Sequence, residues 1–424
     1  MGTPGDALST SAAAGAEAGA GAADSTTVAC DLIRVGLFFD GTGNSRDHVG
    51  TSNIDSWHSN VDLLERQYKN SSAPETATVN GSTMKARFAS AYIRGVGIEE
   101  GGGNQQWGIP RGLAWGTGPE GVAARTREGL EAARTKIRES MGGLEPCFIW
   151  LDAFGFSRGA CVARDFANDI KDGVITSGDI TAEVKFLGLW DTVSSIGNGG
   201  NTGNWDKEGV RINTRARRTA ETIIHITAKD ELRENFPLTL ARGKRIEMVG
   251  VHSDIGGGYA PGTNNGSISY QAGSNDPFFD TIAQKWGLSY GDWQTSMGSR
   301  SRSTQTTNGD SLSQLQTYSQ YGASNWNSFR WQAQHGLQFV ALKIMFDQAT
   351  ANDVPLDAYG SSIEGISVGF SGDLATYYAQ IKDYPHRSDA ATEQNIRRKH
   401  AHMSVANSIG MGPESNGSRR VVTM

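Results

Sequence analysis

The chain has 424 residues, too many for one small domain and enough for a large α/β domain with insertions. Its net charge of −6 excludes a protein that binds nucleic acid by neutralising phosphates, and weighs against holding anionic lipid by charge alone. No apolar run reaches the roughly 18 residues that a membrane-spanning helix needs.

Residues 1–28 are Ala, Gly, Ser and Thr with scattered acids, which predicts a disordered tail. It has neither a basic start nor a long apolar stretch, so no cleaved secretion signal is expected. The three cysteines Cys30, Cys147 and Cys161 contain no CxxC pair. Neither a disulfide framework nor a zinc site is therefore expected, and Cys147 and Cys161 read as small core residues.

Order is predicted to begin with the apolar run Asp31 to Phe39, a buried strand ending in the tight turn Asp40-Gly41-Thr42-Gly43-Asn44. A second strand is expected over Ala86 to Val96. Pro119 to Ser140 has the spacing of a helix, with Val122, Leu130, Ala133 and Ile137 on one face. Pro146 to Phe154 reads as another buried strand and Ala160 to Ile170 as a helix. Strands follow at Val184 to Trp190 and Arg245 to Val251, with a helix expected between them around Arg217 to Glu234. This alternation predicts an α/β fold, a mostly parallel sheet with helices on both faces. The core is assigned to residues 29–259. An insertion follows the seventh-strand region at 260–335, rich in Ser, Asn, Gln, Gly, Trp and Tyr, as a lid or a partner or membrane surface. A helical part at 336–412, opening with Leu337 to Ala351, completes the core, and 413–424 are expected to fray.

Gly155-Phe156-Ser157-Arg158-Gly159 stands between a strand and a helix, the context of a nucleophile elbow. The elbow holds a serine hydroxyl exposed on a strained bend, so its neighbours must be small. N–H groups of Arg158, at the helix start, and of the Asp40, Gly41 and Thr42 loop are candidates for an oxyanion hole. A serine nucleophile needs a base, and the base an orienting acid. His252 and Asp191 end strands and follow Ser157 in the chain order of α/β-hydrolases. Counting strands favours Asp254 with His402 instead, so both pairs stay open. Acids at strand ends (Asp40, Asp152, Asp191, Asp254) together with His252 also allow a cation, but no ligand spacing singles out a site, and no metal or cofactor is assigned. Trp286, Trp293, Trp326 and Trp331 leave a second reading, a non-catalytic binding module on the same scaffold.

Six segments carry a family resemblance in order along residues 35 to 260: Phe38 to Asn44, Tyr92 to Gly97, Gly155 to Ala160, Leu187 to Val193, Asp230 to Arg233 and Gly250 to Tyr259. Arg398 to Ser404 adds a C-terminal match. Together they resemble the first class of type VI secretion lipase effectors, which have an α/β-hydrolase-like catalytic domain. The resemblance implies a phospholipase A acting on glycerophospholipid membranes through a Ser157, Asp191, His252 triad. It also implies carriage by spike or tube proteins of the secretion apparatus into the target-cell periplasm, and an immunity protein in the producer.

Overall fold

The computed structural model describes residues 30–49, 57–79, 82–98, 116–197, 209–261, 333–383, 385, 387–402, 404, 414 and 418–423. For 206–207, 266–271, 302–304, 314–320 and 324–331 it describes the backbone. The fold is α/β, built on a seven-stranded sheet. Its strands are β1 (Asp31–Phe39), β2 (Glu75–Val79), β3 (Ser82–Ile93), β4 (Pro146–Phe156), β5 (Glu183–Trp190), β6 (Thr222–Ala228) and β7 (Lys244–Met248). The order across the sheet is β7-β6-β5-β4-β1-β3-β2. Every neighbouring pair is parallel except β2 with β3 at the edge.

The apolar runs are continuous because the central strands are covered on both faces. Along β1, Ile33, Val35, Leu37 and Phe39 pack with α2 (Val122–Ser140) and α3 (Arg158–Lys171) in one core. Phe38, from the opposite face, joins a second core with Phe154 and Trp190. That core is closed by α1 (Asn60–Glu65), α4 (His252–Gly256), α5 (Leu337–Thr350) and α6 (Gly372–Ile381). Arg34 and Asp152 interrupt this face as a fully buried pair, two hydrogen bonds at 2.7 and 2.9 Å, with the Tyr68 hydroxyl donating to the same carboxylate. Breaking one member of such a pair costs about 3–5 kcal/mol, because the other charge stays buried.

Three expectations give way. The segment expected to be helical between β5 and β7 is strand β6: Ile223, Ile224, Ile226 and Ala228 are buried between two parallel neighbours, where β-branched side chains pack well. Cys30 and Cys147 are joined by a disulfide across the starts of β1 and β4, with Cα atoms 5.3 Å apart; Cys161 alone is the buried core thiol. Counting cysteines misses this, because adjacency of the two strand starts is a property of the sheet. Within the C-terminal stretch expected to fray, Val421–Val422 pairs with Leu238–Thr239. In the 260–335 segment, Gly266–Gln271, Arg302–Thr304, Gln314–Gln320 and Ser324–Trp331 form a separate antiparallel sheet. Trp286 and Trp293 lie outside the described residues. No helix among the described residues is long and apolar enough to cross a membrane.

Candidate active site

Strand β4 runs directly into Ser157 and α3 begins at the next residue. Ser157 has φ 58° and ψ −125°, a conformation that costs a non-glycine residue about 1–3 kcal/mol. The flanking glycines make the bend possible. A Cβ on Gly155 would lie 2.4 Å from the Gly159 carbonyl oxygen, and one on Gly159 would lie 2.2 Å from the Asp40 carbonyl oxygen. Ser157 is 5 % exposed, so little of the residue reaches the surface. A dry surrounding strengthens the electrostatic interactions at such a site.

The loop after β5 lies against this bend. The Ser157 N–H donates to the Trp190 carbonyl at 3.1 Å, and Asp191, the next residue, also has a positive φ of 42°. Asp191 receives the Ala228 N–H at 2.8 Å on Oδ1, and His252 Nδ1 lies 2.6 Å from Oδ2. Arg419 donates to both oxygens, at 2.6 and 2.8 Å. Burial alone would raise the Asp191 pKa; the Arg419 charge, followed by the contact with His252, reverses that and holds the carboxyl well below the usual range. The His252 ring packs on Phe156, with centroids 4.6 Å apart, and meets Phe236 edge-on at 5.1 Å. Burial lowers the His252 pKa against the opposing pull of Asp191, which favours the neutral imidazole.

The competing pair is also formed. His402 Nδ1 lies 2.6 Å from Asp254 Oδ1, and the His402 ring stacks on Tyr259 at 3.8 Å. The remaining Asp254 oxygen accepts the N–H groups of Val251 and His402. Asp254 thereby caps the short helix that carries His252. In the Asp40 loop the Asp40 N–H donates to the Ile93 carbonyl and the Gly41 N–H to the Asp40 carboxylate, so both are engaged within the protein. Thr42 is the third residue of that candidate set, and its buried hydroxyl has no partner among the described residues. Arg158 opens α3, and in the same turn the Ala160 N–H donates to the Ser157 carbonyl at 3.1 Å. Of the acids considered for a cation, Asp152 is bound to Arg34, Asp191 to Arg419 and Asp254 to His402. Among the described residues no three His, Cys, Asp or Glu side chains gather as a metal site.

Residues 176–276 match the family model of the type VI secretion phospholipase effector, Tle1-like, catalytic domain. That segment is similar to the Tle1-like catalytic family. The matched segment contains Asp191, His252 and Asp254, while Ser157 precedes it. Among solved structures, that of a Tle1 effector bound to the VgrG spike of the type VI secretion system is 22 % identical over 93 % of this chain and 94 % of that one. Its TM-score of 0.64 establishes a shared fold. An uncharacterized protein from Pseudomonas aeruginosa aligns at 18 % identity over 86 % of this chain and 52 % of its own, with a TM-score of 0.46. No curated protein matches the chain.

Two residues of this candidate site were not singled out from the sequence. Glu231 accepts the His252 N–H at 3.1 Å, pairs with Arg233 and receives the Ser404 hydroxyl. Its signal was present in the Asp230 to Arg233 segment, which carried resemblance without a role. Arg419 had no local signal, since it reaches Asp191 only because the chain returns to the site after more than 200 residues.

Proposed function

We propose that this chain is a Tle1-like serine esterase, a phospholipase A that hydrolyses acyl esters of glycerophospholipids after delivery into rival cells by a type VI secretion apparatus. The observation that carries this reading is the contact run from Ser157 through Trp190 and Asp191 to His252. In this reading the Ser157 hydroxyl attacks the ester carbonyl while neutral His252 takes its proton. Asp191 holds the ring by Nδ1 and balances the imidazolium as it forms. The developing oxyanion is met by N–H groups of Arg158 and of the Asp40–Thr42 loop, with Thr42 the donor not engaged by Asp40 or Ile93. The protonated imidazole then gives its proton to the leaving lysophospholipid oxygen. Water, deprotonated by the same ring, releases the fatty acid from the acyl-enzyme. The family match and the shared fold with a spike-bound effector support carriage by a spike protein, the target-cell periplasm as the site of action, and protection of the producer by an immunity protein.

Fatty-acid release from phospholipid vesicles tests the proposal. Ser157→Ala should lose at least about 10³-fold in rate, with an unchanged circular dichroism spectrum. A fluorophosphonate should label the parent at Ser157. Release at the parental rate by the alanine variant overturns the mechanism.

A further inference from the structure

We propose that Arg419 is a positioning residue of the site: from the C-terminal strand it grips both oxygens of Asp191 and thereby sets how that carboxylate engages His252. The inference rests on the esterase reading for its catalytic meaning, but the geometry stands by itself. The guanidinium is 6 % exposed and makes a two-pronged contact at 2.6 and 2.8 Å, the arrangement that fixes a carboxylate in both position and orientation. Arg419 is itself held, since Nε donates to the Phe236 carbonyl at 2.7 Å. Val421–Val422 then anchors the segment by pairing with Leu238–Thr239. Asp191 thus sits between a permanent cation and an imidazole, sharing Oδ2 between them. A cation so placed takes part of the carboxylate's charge away from the ring, which favours a neutral imidazole. The other charged groups facing His252 are Glu231, at its backbone N–H, and Arg233; Asp254, on its own helix, is turned to His402.

The test is the titration of the His252 ring, followed by NMR in full-length protein with labelled histidine and assigned by comparison with His252→Gln. Arg419→Met should raise the midpoint by about one pH unit, because Asp191 then presents its whole charge to the ring. Arg419→Lys should restore most of the parental midpoint. Arg420→Met, one residue on and with a side chain 48 % exposed, should leave it unmoved. If the methionine variant does not fold, Arg419→Gln carries the same expected direction while keeping one hydrogen bond. An unmoved midpoint in a folded Arg419→Met or Arg419→Gln protein overturns the proposal and leaves Arg419 a tie for the C-terminal strand. Fluorophosphonate labelling of Ser157 against pH is run beside it. If the parent never labels, the esterase reading fails, while the ring titration still decides the role of Arg419.

Discussion

His252 with Asp191 and His402 with Asp254 are two nearly identical contacts. Each has Nδ1 at 2.6 Å from a carboxylate oxygen, and all four residues are no more than 5 % exposed. They differ in what else the acid does. Asp254 spends its second oxygen on the N–H groups of Val251 and His402, so it builds the turn that carries His252. Asp191 is balanced by a buried guanidinium and follows the residue whose carbonyl holds the Ser157 N–H. An imidazole–carboxylate contact therefore does not identify a site by itself; in the proposed mechanism the remaining partners of the acid are what set the Asp191 pair apart from the Asp254 pair.

The largest expected effect breaks or keeps that distinction. Asp191→Asn should lower kcat/KM on the order of 10⁴-fold, as loss of the orienting acid does in serine hydrolases generally. Asp254→Asn should cost about 1–2 kcal/mol of stability by weakening a cap and a buried contact, with kcat/KM within about tenfold of the parent. Equal losses of activity in the two variants would erase the comparison. The Cys30–Cys147 bridge closes a span of 117 residues, so its reduction should cost about 2–4 kcal/mol, read as a lower Tm with kcat unchanged in protein that stays folded. Because burial lowers the His252 pKa, the acid limb of kcat/KM should fall below the ordinary histidine value of 6.5. A limb at or above that value would mean that burial does not lower the pKa of the ring in the working enzyme. The smallest effect concerns Asp40, whose pKa burial pushes up to about 6 against hydrogen bonds from Tyr92 and Ser59. A raised carboxyl pKa stabilises the fold fully below the unfolded value, and that stability is lost as pH rises through the folded one. Asp40→Asn should flatten the fall in Tm over that window, and an unchanged slope would assign it to other groups.

Much of the sheet was legible because strands covered on both faces are written as unbroken apolar runs, as in Asp31–Phe39 and Pro146–Phe156. Strand β6 was not. Its apolar core, Ile223 to Ile226, is short and lies among Arg, Thr, Lys and Glu residues, and its polar His225 is buried through contacts with Thr192 and Ala241 that no periodicity encodes. The elbow was legible because strain demands glycine at fixed offsets. The choice between acids was not, because Asp191 and Asp254 each lie just past the end of an apolar strand run and only the fold sets which partners surround them. Arg419 and the Cys30–Cys147 bridge share one cause of invisibility: each joins segments distant in sequence whose adjacency is made by the finished sheet.

That bridge bears on how β1 and β4 are aligned. Phe39 is paired with Gly155 in the parallel ladder, so the Asp40 loop and Ser157 emerge level with each other at one end. A slip of one residue would turn every side chain of a strand to the opposite face and carry the loop away from the bend. A covalent clasp at the other end, beside an irregularity between Asp31 and Leu32, leaves the two strands no length in which to slide. Alignment at the Ser157 end is thus secured from the opposite end of the same two strands.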